Sequence, residues 1–114
     1  MGRQFTADEI AALKLICPEV QQAEEAGVTF FLLPHLKLPV GCEPAELDAL
    51  LCPTNHSGYN SRLFFAEVVK TPNQRNWNGT LRVLERNWHA FSWQFEPSGL
   101  NLVQILQVHL DGLR

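Results

Sequence analysis

The chain has little positive charge and no place where it gathers. Nine Lys and Arg residues stand against twelve Asp and Glu, for a net charge of −3. No stretch collects the basic residues into a patch, so the electrostatic footprint of a nucleic-acid binder is missing. Long apolar runs are missing too. The longest, Val28 to Leu33, is far shorter than the roughly 20 residues a membrane helix needs. The segment Met1-Gly2-Arg3-Gln4-Phe5 lacks the apolar core of a signal peptide. A cytoplasmic location with no membrane partner is therefore expected, and there the glycosylation-type triplets Asn55-His56-Ser57 and Asn78-Gly79-Thr80 carry no meaning. Cysteine is scarce and odd in number, at three. In a reducing compartment this implies no disulfide framework. There is no internal repeat and no low-complexity tract.

What is present reads as one globular domain spanning residues 1–114. Hydrophobic residues make up 46% and charged residues 18% of the chain, a composition that folds rather than stays disordered. A chain of this length buries roughly 60–70% of its unfolded surface. Without a basic field, the three tryptophans and seven phenylalanines read as core residues, not as base-stacking platforms.

Thr6-Ala7-Asp8-Glu9 reads as a capping box opening a helix, and Ile10, Leu13 and Cys17 follow at helical spacing up to Pro18. Glu19 to Ala26 is helix by propensity, with Gly27 as its stop, or an edge strand. Val28 to Leu33 is a strand by its aromatic and β-branched content. Glu46 to Cys52 fits either a helix after Pro44 or a strand. Arg62 to Val69 reads as a strand and Leu81 to Trp93 as a short aromatic helix. A last helix covers 99–110, with Ser98 as N-cap and Leu102, Val103, Leu106 and Leu110 as its buried stripe. Strands adjacent in sequence between terminal helices make an α+β fold.

Several local patterns resemble one family. Leu36-Lys37-Leu38-Pro39-Val40-Gly41 precedes the apolar run Leu47 to Cys52, which ends at Pro53. Gly58-Tyr59, Leu63-Phe64-Phe65, Thr71-Pro72-Asn73, Asn78-Gly79-Thr80-Leu81-Arg82-Val83-Leu84 and Arg86-Asn87-Trp88-His89-Ala90-Phe91-Ser92 follow in order. This succession resembles the ubiquitin-conjugating (UBC-fold) proteins, and most closely their prokaryotic members. The resemblance implies a four-stranded antiparallel meander flanked by N-terminal and C-terminal helices. Both ambiguous segments, Glu19–Glu25 and Glu46–Cys52, then become strands, with the others near 28–33 and 62–69. A helical Glu46–Cys52 would end the resemblance. It also implies two protein partners, a ubiquitin-like protein and an activating-enzyme-like protein, in a bacterial conjugation pathway.

In that family a cysteine thiolate receives the ubiquitin C-terminus as a thioester, and a motif asparagine stabilises the oxyanion or shapes the site. Here Asn73 keeps the asparagine, Thr71 replaces the motif histidine, and Arg82 stands where the cysteine belongs. A guanidinium offers only N–H donors and forms no thioester. Leu81, one residue away, is no better. An acyl carrier or transferase built on this chain therefore needs another nucleophile, and a non-catalytic binding module of the same fold is the alternative.

His89 and Ser92 share a face if Leu81–Trp93 is helical, and a histidine activates a hydroxyl. Ser92 as nucleophile, His89 as base and Asn73 near the acyl oxygen are thus the candidate catalytic residues. Against this, serine commonly serves as a local backbone partner. His35, Cys42, Cys52 and His56 are zinc-type ligands, which would make a small zinc-stabilised domain. Only Cys52 and His56 have a short ligand spacing, so no metal and no cofactor are expected. Cys17 and Cys52 read as core residues, Cys42 as the most exposed thiol, and His109 as helix surface.

Overall fold

The first helix begins where its capping residues say it should. A computed structural model describes residues 5–54 and 58–114. Helix α1 (Ala7–Ile16) starts with the Thr6 Oγ1 accepting the Glu9 amide at 3.1 Å and the Glu9 carboxylate accepting the Thr6 amide at 3.3 Å. The other oxygen of Glu9 accepts the Leu102 amide at 3.1 Å, so one carboxylate satisfies orphan donors at the starts of both helices. Leu13 and Cys17 are buried, while Leu15 and Ile16 face outward.

Six strands follow: β1 (Gln21–Glu25), β2 (Val28–Lys37), β3 (Glu46–Cys52), β4 (Arg62–Phe65), β5 (Gly79–Val83) and β6 (Arg86–Ala90). They form one sheet in the order β1-β2-β3-β4-β6-β5, with every pairing antiparallel. Helix α2 (Leu102–Asp111) closes the fold. The fold is α+β, but the expected four-stranded meander is corrected to a six-stranded sheet. The two extra strands come from Leu81–Trp93, which is not helical. Leu81 and Val83 alternate with exposed residues, the buried Trp88 and Ala90 alternate with the less covered Asn87 and His89, and a period of two belongs to a hairpin. The Trp88 indole donates to the Val83 carbonyl at 3.1 Å and fastens the two strands.

β3 is buried on both faces: Ala49, Leu50, Leu51 and Cys52 are all fully covered. Two-sided burial erases the alternation that marks a strand, which explains why this segment reads equally well as a helix. β2 carries a bulge after Leu33, where His35 takes φ 56°. The His35 amide donates to the Asp48 carboxylate at 3.0 Å. That carboxylate also holds Arg86 at 3.0 Å, and the two contacts keep its pKa below the usual range.

α2 begins later than expected. Its N-cap is Asn101, whose side chain accepts the Gln104 amide at 2.9 Å, while Ser98 bonds to Glu96 instead. Leu102, Ile105, Leu106, His109 and Leu110 are buried, and Val103 only partly so. Leu102, Ile105, Leu106 and Leu110 pack with Leu13, Phe31, Leu51, Phe65 and Phe91 on one face of the sheet. A second cluster, with Phe30, Leu50, Cys52, Phe64, Val83 and Trp88, lies on the other face and contains no helix residue. Among the described residues no helix is long and apolar enough to cross a membrane.

Candidate functional site

Arg62, the first residue of β4, is 5% exposed. It has no carboxylate partner among the described residues. A buried guanidinium needs compensation for lost hydration, and here neutral groups supply it. One Nη donates to the Asn78 Oδ1 at 2.6 Å and to the Phe91 carbonyl at 3.4 Å. The cation lies 4.0 Å from the Tyr59 ring centroid, within cation–π range. Its Nε has no hydrogen-bond partner among the described residues. A Cβ on Gly79 would stand 2.8 Å from the guanidinium, so glycine at that position makes room for the cation.

Arg62 in turn orients Asn78. With its Oδ1 held by the guanidinium, the amide points its Nδ2–H at the Tyr59 hydroxyl, 2.9 Å away. The same hydroxyl lies 3.1 Å from the Ser92 Oγ. Ser92 is exposed and Tyr59 half-buried. Hydrogen bonds from Ser92 and then Asn78, with the Arg62 charge beneath, hold the phenol below its ordinary pKa.

Behind this pair lies a covered layer. The Ser61 hydroxyl donates to the Cys52 carbonyl at 2.8 Å and sits 2.9 Å from the His109 Nε2. With that hydroxyl proton committed, the bond requires the Nε2–H tautomer of a neutral ring. His109 is 2% exposed and meets Phe95 edge-on at 4.9 Å. Burial first, and the Arg62 charge second, push its pKa down to about 3. The expectation that His109 lies on the helix surface is corrected: its side chain is part of the buried stripe.

Of the residues singled out from sequence, only Ser92 belongs to this cluster. His89 sits in β6 opposite Phe65 and Thr80. A spacing of three residues joins side chains on a helix but sends them to opposite faces of an extended chain. The helical basis for pairing His89 with Ser92 is therefore gone. The Asn73 amide donates to the Arg114 carbonyl at 3.1 Å. Arg82 is exposed on β5 and donates to Asn87 across the hairpin at 3.1 Å.

All three thiols are enclosed. Cys17, Cys42 and Cys52 are 2%, 5% and 0% exposed, and burial pushes each thiol pKa up. Cys42, expected to be the most exposed, lies with its Sγ toward the Leu113 carbonyl. Among the described residues no group of three or more His, Cys, Asp or Glu side chains could hold a metal ion. His56 lies outside the described residues. A depression of about 930 Å³, bounded by Asn60, Glu96, Ser98, Asn101 and Ile105, opens beside the cluster and includes neither Tyr59 nor Ser92.

Tyr59, Asn78 and Arg62 were not among the residues picked for chemistry. Gly58-Tyr59 and Asn78-Gly79 stand out in the sequence as parts of the family resemblance, with no chemical role given to Tyr59 or Asn78. The glycine against a buried cation is visible only in three dimensions. No protein-family model, no curated protein and no solved structure matches the chain.

Proposed function

We propose that the chain is a ubiquitin-conjugating-enzyme-like component of a bacterial ubiquitin-like protein conjugation pathway, and that it holds its ubiquitin-like partner without a cysteine thioester. The observation that carries the second half is the burial of all three cysteines. The thiolate is the nucleophilic form, and a covered thiol whose pKa burial raises ionises less readily and does not meet a protein C-terminus. The family likeness is supported by the succession of α1 and four consecutively paired strands, by the Leu38-Pro39-Val40-Gly41 segment before β3, and by the closing helix. The β5–β6 hairpin, which sets β6 beside β4, departs from that layout.

In this reading the ubiquitin-like C-terminus, delivered by an activating-enzyme-like protein, is carried on the Ser92 hydroxyl. The test is to incubate the chain with both proteins and ATP and to challenge the product. The expected adduct survives excess thiol, yields to alkali or hydroxylamine, and is lost in Ser92→Ala. A thiol-sensitive adduct lost in Cys42→Ala or Cys52→Ala contradicts the proposal. Tight partner binding with no adduct under any condition replaces the carrier with a non-catalytic binding module.

A further inference from the structure

We infer that Tyr59 is the group that takes the proton from Ser92, so that the two form an acyl-accepting pair in the place assigned by spacing to His89 and Ser92. The inference rests on the reading of Ser92 as the acyl-bearing residue. It names the base and the class of substrate, an activated carboxylic ester or thioester.

Two contacts converge on the Tyr59 oxygen and a third on its ring. The oxygen lies 3.1 Å from the Ser92 Oγ, within proton-transfer reach. It receives the Asn78 N–H at 2.9 Å, and that amide cannot turn over because Arg62 holds its other end at 2.6 Å. The ring lies on a guanidinium that no carboxylate among the described residues neutralises, its centroid 4.0 Å from the cation. A phenolate oxygen accepts from both Asn78 and Ser92 and gains from the cation below, so every contact favours the ionised form. Arg62 is the charged group facing the phenol. His109, farther behind, stays neutral and adds no second positive charge. A buried arginine without a counterion is costly as pure architecture, and it acquires a purpose if the counter-charge is the phenolate itself.

The step balances within the pair and its substrate. The Tyr59 phenolate accepts the Ser92 proton as Oγ bonds to the carbonyl carbon. The carbonyl π pair moves to oxygen, then returns and expels the leaving group with its bonding electrons. An oxyester remains on Ser92 and a phenol on Tyr59, which releases its proton to water.

The test uses 4-nitrophenyl acetate and the whole chain, with the acetylated residue located by peptide mass spectrometry. Acetyl is expected on Ser92, at a rate that rises with pH as the phenol ionises. Tyr59→Phe should slow it at least tenfold and flatten the pH profile, with an unchanged thermal unfolding midpoint. Asn78→Ala should move the profile to higher pH, and His89→Ala should change nothing. Acetylation of Ser92 as fast in Tyr59→Phe as in the parent overturns the inference. So does loss of reaction in His89→Ala, acetyl found on Tyr59, or no acetyl on Ser92. Because the probe needs no protein partner, an active pair with no ubiquitin-like adduct would sink the pathway reading alone. An adduct on Ser92 that ignores Tyr59→Phe would sink this inference alone.

Discussion

Ser61, Arg62 and His109 are polar side chains enclosed among the described residues; Ser61 bonds to His109, and the Arg62 charge acts on the same ring. Their burial ties stability to pH. His109 titrates at about 3 in the folded protein against 6.5 unfolded. A depressed value means that the unfolded chain binds the proton first. His109 therefore subtracts nothing above pH 6.5, and its penalty grows as pH falls below it. The expected slope approaches about 1.4 kcal/mol per pH unit. Urea unfolding between roughly pH 6.5 and 5, above the carboxylate range, should show this loss, and His109→Gln should remove it. Equal slopes in the two proteins would mean that the ring is not enclosed. At this scale the sequence was partly legible. Leu102, Leu106 and Leu110 followed from helical spacing. His109 lies on the same stripe, seven residues after Leu102, but its polarity argued for solvent. Its partner Ser61 is 48 positions away, and no local pattern joins them.

Elements were legible where end signals were chemical and illegible where burial blurred the period. The Thr6–Glu9 capping box set the start of α1 correctly. β3 needed the family resemblance, because its two covered faces leave no alternation to read. The β5–β6 hairpin was missed since its turn contains no glycine. Leu84 and Glu85 take φ values of 53° and 61°, the left-handed region in which a side chain costs roughly 1–2 kcal/mol. Asn-Gly would have announced such a turn. Glu85 is exposed, so Glu85→Gly relieves this strain without loss of packing, whereas Leu84 touches the second core cluster. After the added backbone entropy of glycine in the unfolded chain, the variant should be more stable by about 0.5–1 kcal/mol. Chemical denaturation checks this. A variant less stable than the parent would mean that Glu85 is not held left-handed.

The whole molecule assembles its site from pieces the sequence keeps apart. Tyr59 and Arg62 lie at the entry to β4, Asn78 just before β5, and Ser92 just after β6. Tyr59 and Ser92 are 33 residues apart. They meet because β6 pairs with β4, a crossover that no local pattern encodes and that the four-stranded expectation did not contain. The chain has a single tyrosine, so its phenolate absorbance reports this site alone. A pH titration of that absorbance should show the phenol ionising below its ordinary value of about 10. Ser92→Ala and Asn78→Ala should each move the midpoint upward. A tyrosine that titrates at the ordinary value, indifferent to both substitutions, would contradict the assembly of Tyr59, Asn78, Arg62 and Ser92 into one site.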